Sequence, residues 1–151
     1  MNRVITLLLL AGICVSTFFG GCKKSVTSNN DYKMNAKIGT EDYSAPNCMA
    51  VLTGTTMVIE GLSGSEPFPT YPYLAISLPK WYGATGLYQL DSALGHPNGR
   101  YFLDAGTYKI SMYGNLNITS VTPDLIAGSF YFTTKDTVEI KEGTFTAKIF
   151  K

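Results

Sequence analysis

The sequence predicts an all-β fold, an antiparallel β-sandwich or open barrel of about nine or ten short strands with little or no helix. Three observations carry that expectation. Apolar residues alternate at period two in one run after another. Gly, Pro, Asn and Asp clusters break those runs at short intervals, and no capped helical period of useful length occurs. The chain of 151 residues is 45% hydrophobic and 13% aromatic but only 15% charged, where about 25% charged is usual. It is too apolar to stay unfolded and too poor in Ala, Glu, Lys, Leu and Arg for a coiled coil.

Taken in order, Lys33–Ile38 sets Met34, Ala36 and Ile38 on one face. Residues 48–52 and 55–62 are apolar runs joined at Thr53-Gly54, which reads as a hairpin turn. Tyr73–Leu78 alternates Leu74, Ile76 and Leu78 and is ended by Pro79. Residues 86–90 form a short strand after a glycine-rich turn, and 101–103 and 106–113 follow, the latter with Tyr108, Ile110 and Met112 on one face. Residues 116–121 run into the turn Thr122-Pro123-Asp124. The runs 126–133, 137–140 and 144–150 complete the series, with Lys141-Glu142-Gly143 turning between the last two. Residues 91–94 offer one helical turn at most. Phe130 and Phe132 share a face and fill the core, as do Phe145, Ala147 and Ile149. Gly128 and Gly143 fall at strand starts, where a bulge or a positive φ suits glycine.

Before the strands lies a processing signal. Arg3 precedes an apolar run over residues 4–15, and Phe19-Gly20-Gly21-Cys22 follows. A positive start, about a dozen apolar residues and small residues before a cut site describe a secretory signal peptide. The run is too short and too interrupted by Thr6, Ser16 and Thr17 for a membrane span. Cysteine directly after two glycines resembles a bacterial lipobox, with cleavage before Cys22 and acylation of its thiol. The expected organisation is a lipoprotein signal peptide over 1–21, a lipidated Cys22 with a flexible polar tether to residue 31, and one β domain over 32–151. Two or three acyl chains hold a small protein at a membrane without a span. Lys23 and Lys24 then meet anionic headgroups, and lysine in place of aspartate after the lipidated cysteine favours the outer membrane. No acidic run follows Cys22, which favours the periplasmic face over the cell surface. Cys14 leaves with the signal, so Cys48 is the one free thiol and no internal disulfide forms.

The last third has a distinctive cadence. Asn115-Leu-Asn-Ile-Thr119 leads to Ile126-Ala-Gly-Ser-Phe-Tyr-Phe132, and Val138 leads to Glu142-Gly143-Thr144-Phe145. Met34-Asn-Ala-Lys-Ile-Gly-Thr40 and Gly86-Leu-Tyr-Gln-Leu90 belong to the same pattern. Together they resemble a family of small uncharacterised lipoproteins of Bacteroidetes. Tyr43 stands where that family would place tryptophan, and the middle region is longer and richer in proline. The resemblance implies a β-sandwich-like, membrane-tethered domain and brings no catalytic residues with it.

A search for chemistry leaves little. Twelve basic and eleven acidic residues give a net charge of +1 without a basic patch, which argues against nucleic acid. His96, the single histidine, lies in a turn-rich loop, and Cys48 lies in a strand, where a buried thiol is inert. One histidine and one free cysteine do not make a zinc site. Asp42, Glu60, Glu66, Asp91 and Asp104 are scattered at strand ends and turns and form no obvious glycosidase pair. Asp91, Asp104 and Asp124 make no calcium loop, and no phosphate loop is present. No cofactor, metal or catalytic set is expected.

One region exceeds what folding demands. Residues 67–88 gather Phe68, Tyr71, Tyr73, Trp81, Tyr82 and Tyr88 among four prolines. Aromatic faces on a stiff loop make a platform for sugar rings or a peptide; the plainer reading is that the rings cap one end of the core. Trp81, Tyr82, Tyr71 and Tyr73 are the candidate ligand-binding residues. The expected function is a membrane-anchored, non-enzymatic binding or scaffolding module of the cell envelope, with a glycan or an envelope protein as partner. A carbohydrate-binding accessory lipoprotein using the aromatic loop is the second reading, and a weak hydrolase using Asp91 or Asp104 the third.

Overall fold

The computed structural model describes residues 31–63 and 70–151. The expected signal peptide, Cys22 and nearly all of the expected tether therefore lie outside the described residues, as do Glu66, Pro67, Phe68 and Pro69. Ten strands form: β1 (Lys33–Ile38), β2 (Glu41–Ala45), β3 (Asn47–Thr53), β4 (Thr56–Leu62), β5 (Tyr73–Leu78), β6 (Gly86–Asp91), β7 (Asn98–Phe102), β8 (Tyr108–Val121), β9 (Leu125–Thr134) and β10 (Glu139–Phe150). No helix occurs among the described residues. The all-β expectation holds.

Of the two architectures expected, the chain adopts the barrel, and the barrel is closed. Strands β3, β4, β5, β7, β8, β9 and β10 pair in a ring. The closing contact is parallel, Lys148, Ile149 and Phe150 of β10 lying opposite Met49, Ala50 and Val51 of β3, so the fold is not purely antiparallel. Two long strands make this possible. β8 has 14 residues and β10 has 12. Each serves the barrel with one half and leaves it with the other, where β6 pairs with β8 and β1 pairs with β10. β2 continues outward from β1. A second, six-stranded surface, β6-β8-β9-β10-β1-β2, thus shares three strands with the barrel.

The long strands correct two expected turns. Residues 106–113 and 116–121 belong largely to one strand, and residues 106 and 107 belong to the preceding loop. Lys141-Glu142-Gly143 is no turn but a bulge within β10, where the pairing with β9 shifts between Ile140 and Gly143. The hairpin after β3 turns on Gly54-Thr55, one residue later than expected, with Gly54 at φ 60°. β2 was not anticipated.

Glycine and phenylalanine face each other in three residue pairs across two strand pairings: Gly114 with Phe132, Phe145 with Gly128, and Phe130 with Gly143. A Cβ on Gly143 would lie 2.6 Å from the Phe130 ring, one on Gly114 would strike the Tyr131 carbonyl, and one on Gly128 the Asn117 carbonyl. The Phe130 and Phe145 rings occupy the space that Gly143 and Gly128 leave open, whereas the Phe132 ring lies against Gly99 and Gly114 gives room to the β9 backbone. Phe130, Phe132 and Phe145 are all buried, as expected from their period-two spacing. The demand for glycine comes from close packing rather than from strand starts.

Tyr43 ties the β1–β2 hairpin to the barrel. Its hydroxyl donates to the Gly61 carbonyl at 2.6 Å and accepts from the Leu74 amide at 3.3 Å. Gly61 lets Met34 and Ala45 approach: a Cβ there would meet the Met34 Sδ at 2.7 Å. Every buried side-chain polar atom among the described residues has a partner.

Candidate ligand-binding face

The four aromatic residues singled out from the sequence do not form one platform. Trp81 is 7% exposed and belongs to the core. Its Nε1 donates to the Ala84 carbonyl at 3.3 Å, and its backbone amide donates to Thr55. Tyr82 is 80% exposed and rims a cleft of about 360 Å3 beside Trp81, Val121, Pro123 and Lys151. Tyr73 opens β5 at its other end, five residues before Leu78 or roughly 17 Å away, and Tyr71 lies just before it. There they start an outward aromatic ladder: Tyr71 tilts against Tyr73, Tyr73 stacks on Phe102 at 4.3 Å, and Phe102 meets Tyr108 at 5.2 Å. Arg100 lies over the Tyr108 ring.

The candidate catalytic groups are also apart and already engaged. Cys48 is buried on β3, and burial pushes its thiol up to about 12. His96 pairs with Asp91 through Nδ1 at 2.9 Å, in the loop that joins β6 to β7. That hydrogen bond, with one from the Ala93 amide, holds Asp91 below the usual carboxylate range. Asp104 caps its own turn, accepting from the Gly106 and Thr107 amides at 2.9 Å each, and is lowered by them. These are the turn roles that short acidic side chains fill.

Register assembles a different surface. On the outer side of the six-stranded sheet, Leu87, Asn117, Ser129, Thr144, Asn35 and Ser44 stand opposite one another in sequence across β6, β8, β9, β10, β1 and β2. None is buried. A second row runs beside it through Gln89, Asn115 and Tyr131 to the β10 bulge, then to Lys37 and Asp42. Alternation along each strand sends Leu116, Ile118, Phe130 and Phe132 inward and leaves these side chains outside.

The two rows border a trough of about 450 Å3 between Leu87, Asn115, Asn117, Ser129, Tyr131 and Glu142. Tyr131 is half exposed, and the Asn115 Nδ2 donates to its hydroxyl at 2.7 Å, which fixes the ring over the trough. Leu87 is 71% exposed at the opposite wall. Glu142 owes its place to the bulge, where it adopts φ 51°, a conformation costing a non-glycine residue about 1–2 kcal/mol. Strain of this kind concentrates at functional sites. Its carboxylate pairs with Lys37 at 2.9 Å and holds that amine's pKa above its ordinary value.

Sequence reasoning missed this face because its members come from six strands and each looked like an ordinary outward polar position. The signal that could have found it is the pair Asn115 and Asn117 flanking Leu116 in a strand whose neighbours carry Ser129, Tyr131 and Thr144. The chain matches no protein-family model, no curated protein and no solved structure.

Proposed function

We propose that this chain is a non-enzymatic binding module of the cell envelope, anchored through lipid on Cys22, that takes a glycan on the outer face of β6, β8, β9 and β10. The observation that carries the reading is the in-register polar face itself: amide and hydroxyl side chains at strand spacing, beside a tyrosine ring locked by Asn115. Sugars are recognised by that combination, because planar amides bond paired hydroxyls while an aromatic or aliphatic face covers the C–H side of the ring. The non-enzymatic reading draws on Asp91, Asp104 and Cys48 being committed to turns and core.

Glycan-array binding of the full chain in detergent micelles tests it. Wild type should bind, and Tyr131→Ala should lose at least roughly tenfold, a ring's worth of contact. The Tyr82 cleft supports a second reading, because its ring stands free at the rim. Loss on Tyr82→Ala with Tyr131→Ala intact would transfer the site there. The anchor is tested separately: Cys22→Ser should release the protein from membranes, and retention would refute the lipid anchor.

A further inference from the structure

We infer that the ligand, if the glycan reading above holds, is a neutral, extended, β-linked oligosaccharide of several units lying across the strands, rather than a single sugar held in one pocket. The trough does not end at Glu142. A second depression of about 240 Å3, lined by Asn35, Lys37, Asp42 and Ser44, adjoins it, and Glu142 lines both. The row from Leu87 to Ser44 crosses six strands in unbroken register, a span of roughly 24 Å at the usual strand separation. One pyranose unit of an extended chain is about as long as one strand separation, so successive units would meet successive side chains. Asn117, Ser129, Thr144 and Asn35 stand one per strand, none of them a charge, Asn35 offering its Nδ2 while its Oδ1 accepts from the Ser44 hydroxyl at 2.9 Å.

Charge along the path argues against an acidic polymer. Lys37 pairs with Glu142 and also faces Asp42, so two carboxylates share one amine in the group around the junction. A polyanion would meet net negative charge there, whereas a neutral chain would meet none that matters.

A length series of neutral β-linked gluco- and xylo-oligosaccharides, from one to six units, tests this by titration calorimetry on the full chain in micelles. Affinity should climb at least roughly tenfold from the disaccharide to the hexasaccharide, the gain of one or two added hydrogen bonds. Asn35→Ala, at the far end, should weaken the hexasaccharide roughly fivefold and leave the disaccharide unchanged. Affinity that is flat with length, or tighter binding of polygalacturonate than of the neutral series, would overturn this inference and leave the glycan reading standing. Absence of binding to every glycan would overturn both.

Discussion

Gly114, Gly128 and Gly143 show how single residues decide this fold. Each faces a phenylalanine across the sheet, with backbone or ring atoms filling the space a side chain would need, so Gly128→Ala drives a methyl into the Asn117 carbonyl and the Phe145 ring. Overpacking of this kind costs roughly 1–3 kcal/mol, and a urea midpoint should fall accordingly. Gly54→Ala, where the added Cβ meets nothing, should lose only the backbone preference at φ 60°, about 1 kcal/mol. Cys48 gives a second prediction at this scale. Its thiol titrates at about 12 in the folded chain against an ordinary 9.0. The folded state therefore holds the proton more tightly, and the stability this confers is complete below pH 9.0 and lost as pH rises toward 12. Denaturation midpoints should fall over that window with a contribution of about 1.4 kcal/mol per pH unit, and Cys48→Ala should remove that part of the slope. The inward phenylalanines were legible from the sequence because period-two spacing fixes a face. Gly128 and Gly143 were legible only as special positions and Gly114 not at all, since what fills the gap depends on register between distant strands.

Among elements, β10 departs furthest from its sequence reading. Lys141-Glu142-Gly143 has turn composition, yet neighbours on both sides keep the strand paired through it, and the excess length is absorbed as a bulge. Pairing outweighs turn propensity there, and Glu142 takes the strained φ. Glu142→Gly should accordingly relieve backbone strain while losing an exposed ion pair, which is worth about 0–1 kcal/mol. Stability should hold or rise by up to about 1 kcal/mol, while glycan affinity falls; loss of both would mean the bulge depends on the carboxylate. The β1–β2 hairpin is held by Tyr43, whose hydroxyl bridges β4 and β5. Tyr43→Phe leaves the Gly61 carbonyl and Leu74 amide each short of that partner in a buried setting, a cost of roughly 1–3 kcal/mol. Hydrogen exchange should quicken in the hairpin, and an unchanged pattern would show that apolar packing alone docks it. β2 escaped notice because Tyr43 and Ala45 are its only inward residues, too few for a periodic signal.

For the molecule as a whole, the all-β class was legible because strand patterning recurs throughout. Closure was not, since it rests on the short parallel contact between β10 and β3, which no local pattern announces. The same logic explains the site. An aromatic-rich loop draws the eye in a sequence, but Trp81 is spent on the core, and Tyr71 and Tyr73 face another side. The polar face exists only once six strands stand in register. Its claim to bind glycan is tested most directly by calorimetric titration of neutral β-linked hexasaccharides into wild type, Tyr131→Ala and Tyr82→Ala. Wild type and Tyr82→Ala should bind saturably, with loss of at least roughly tenfold in Tyr131→Ala. Full affinity in Tyr131→Ala, or no titratable heat in any of the three, would contradict it.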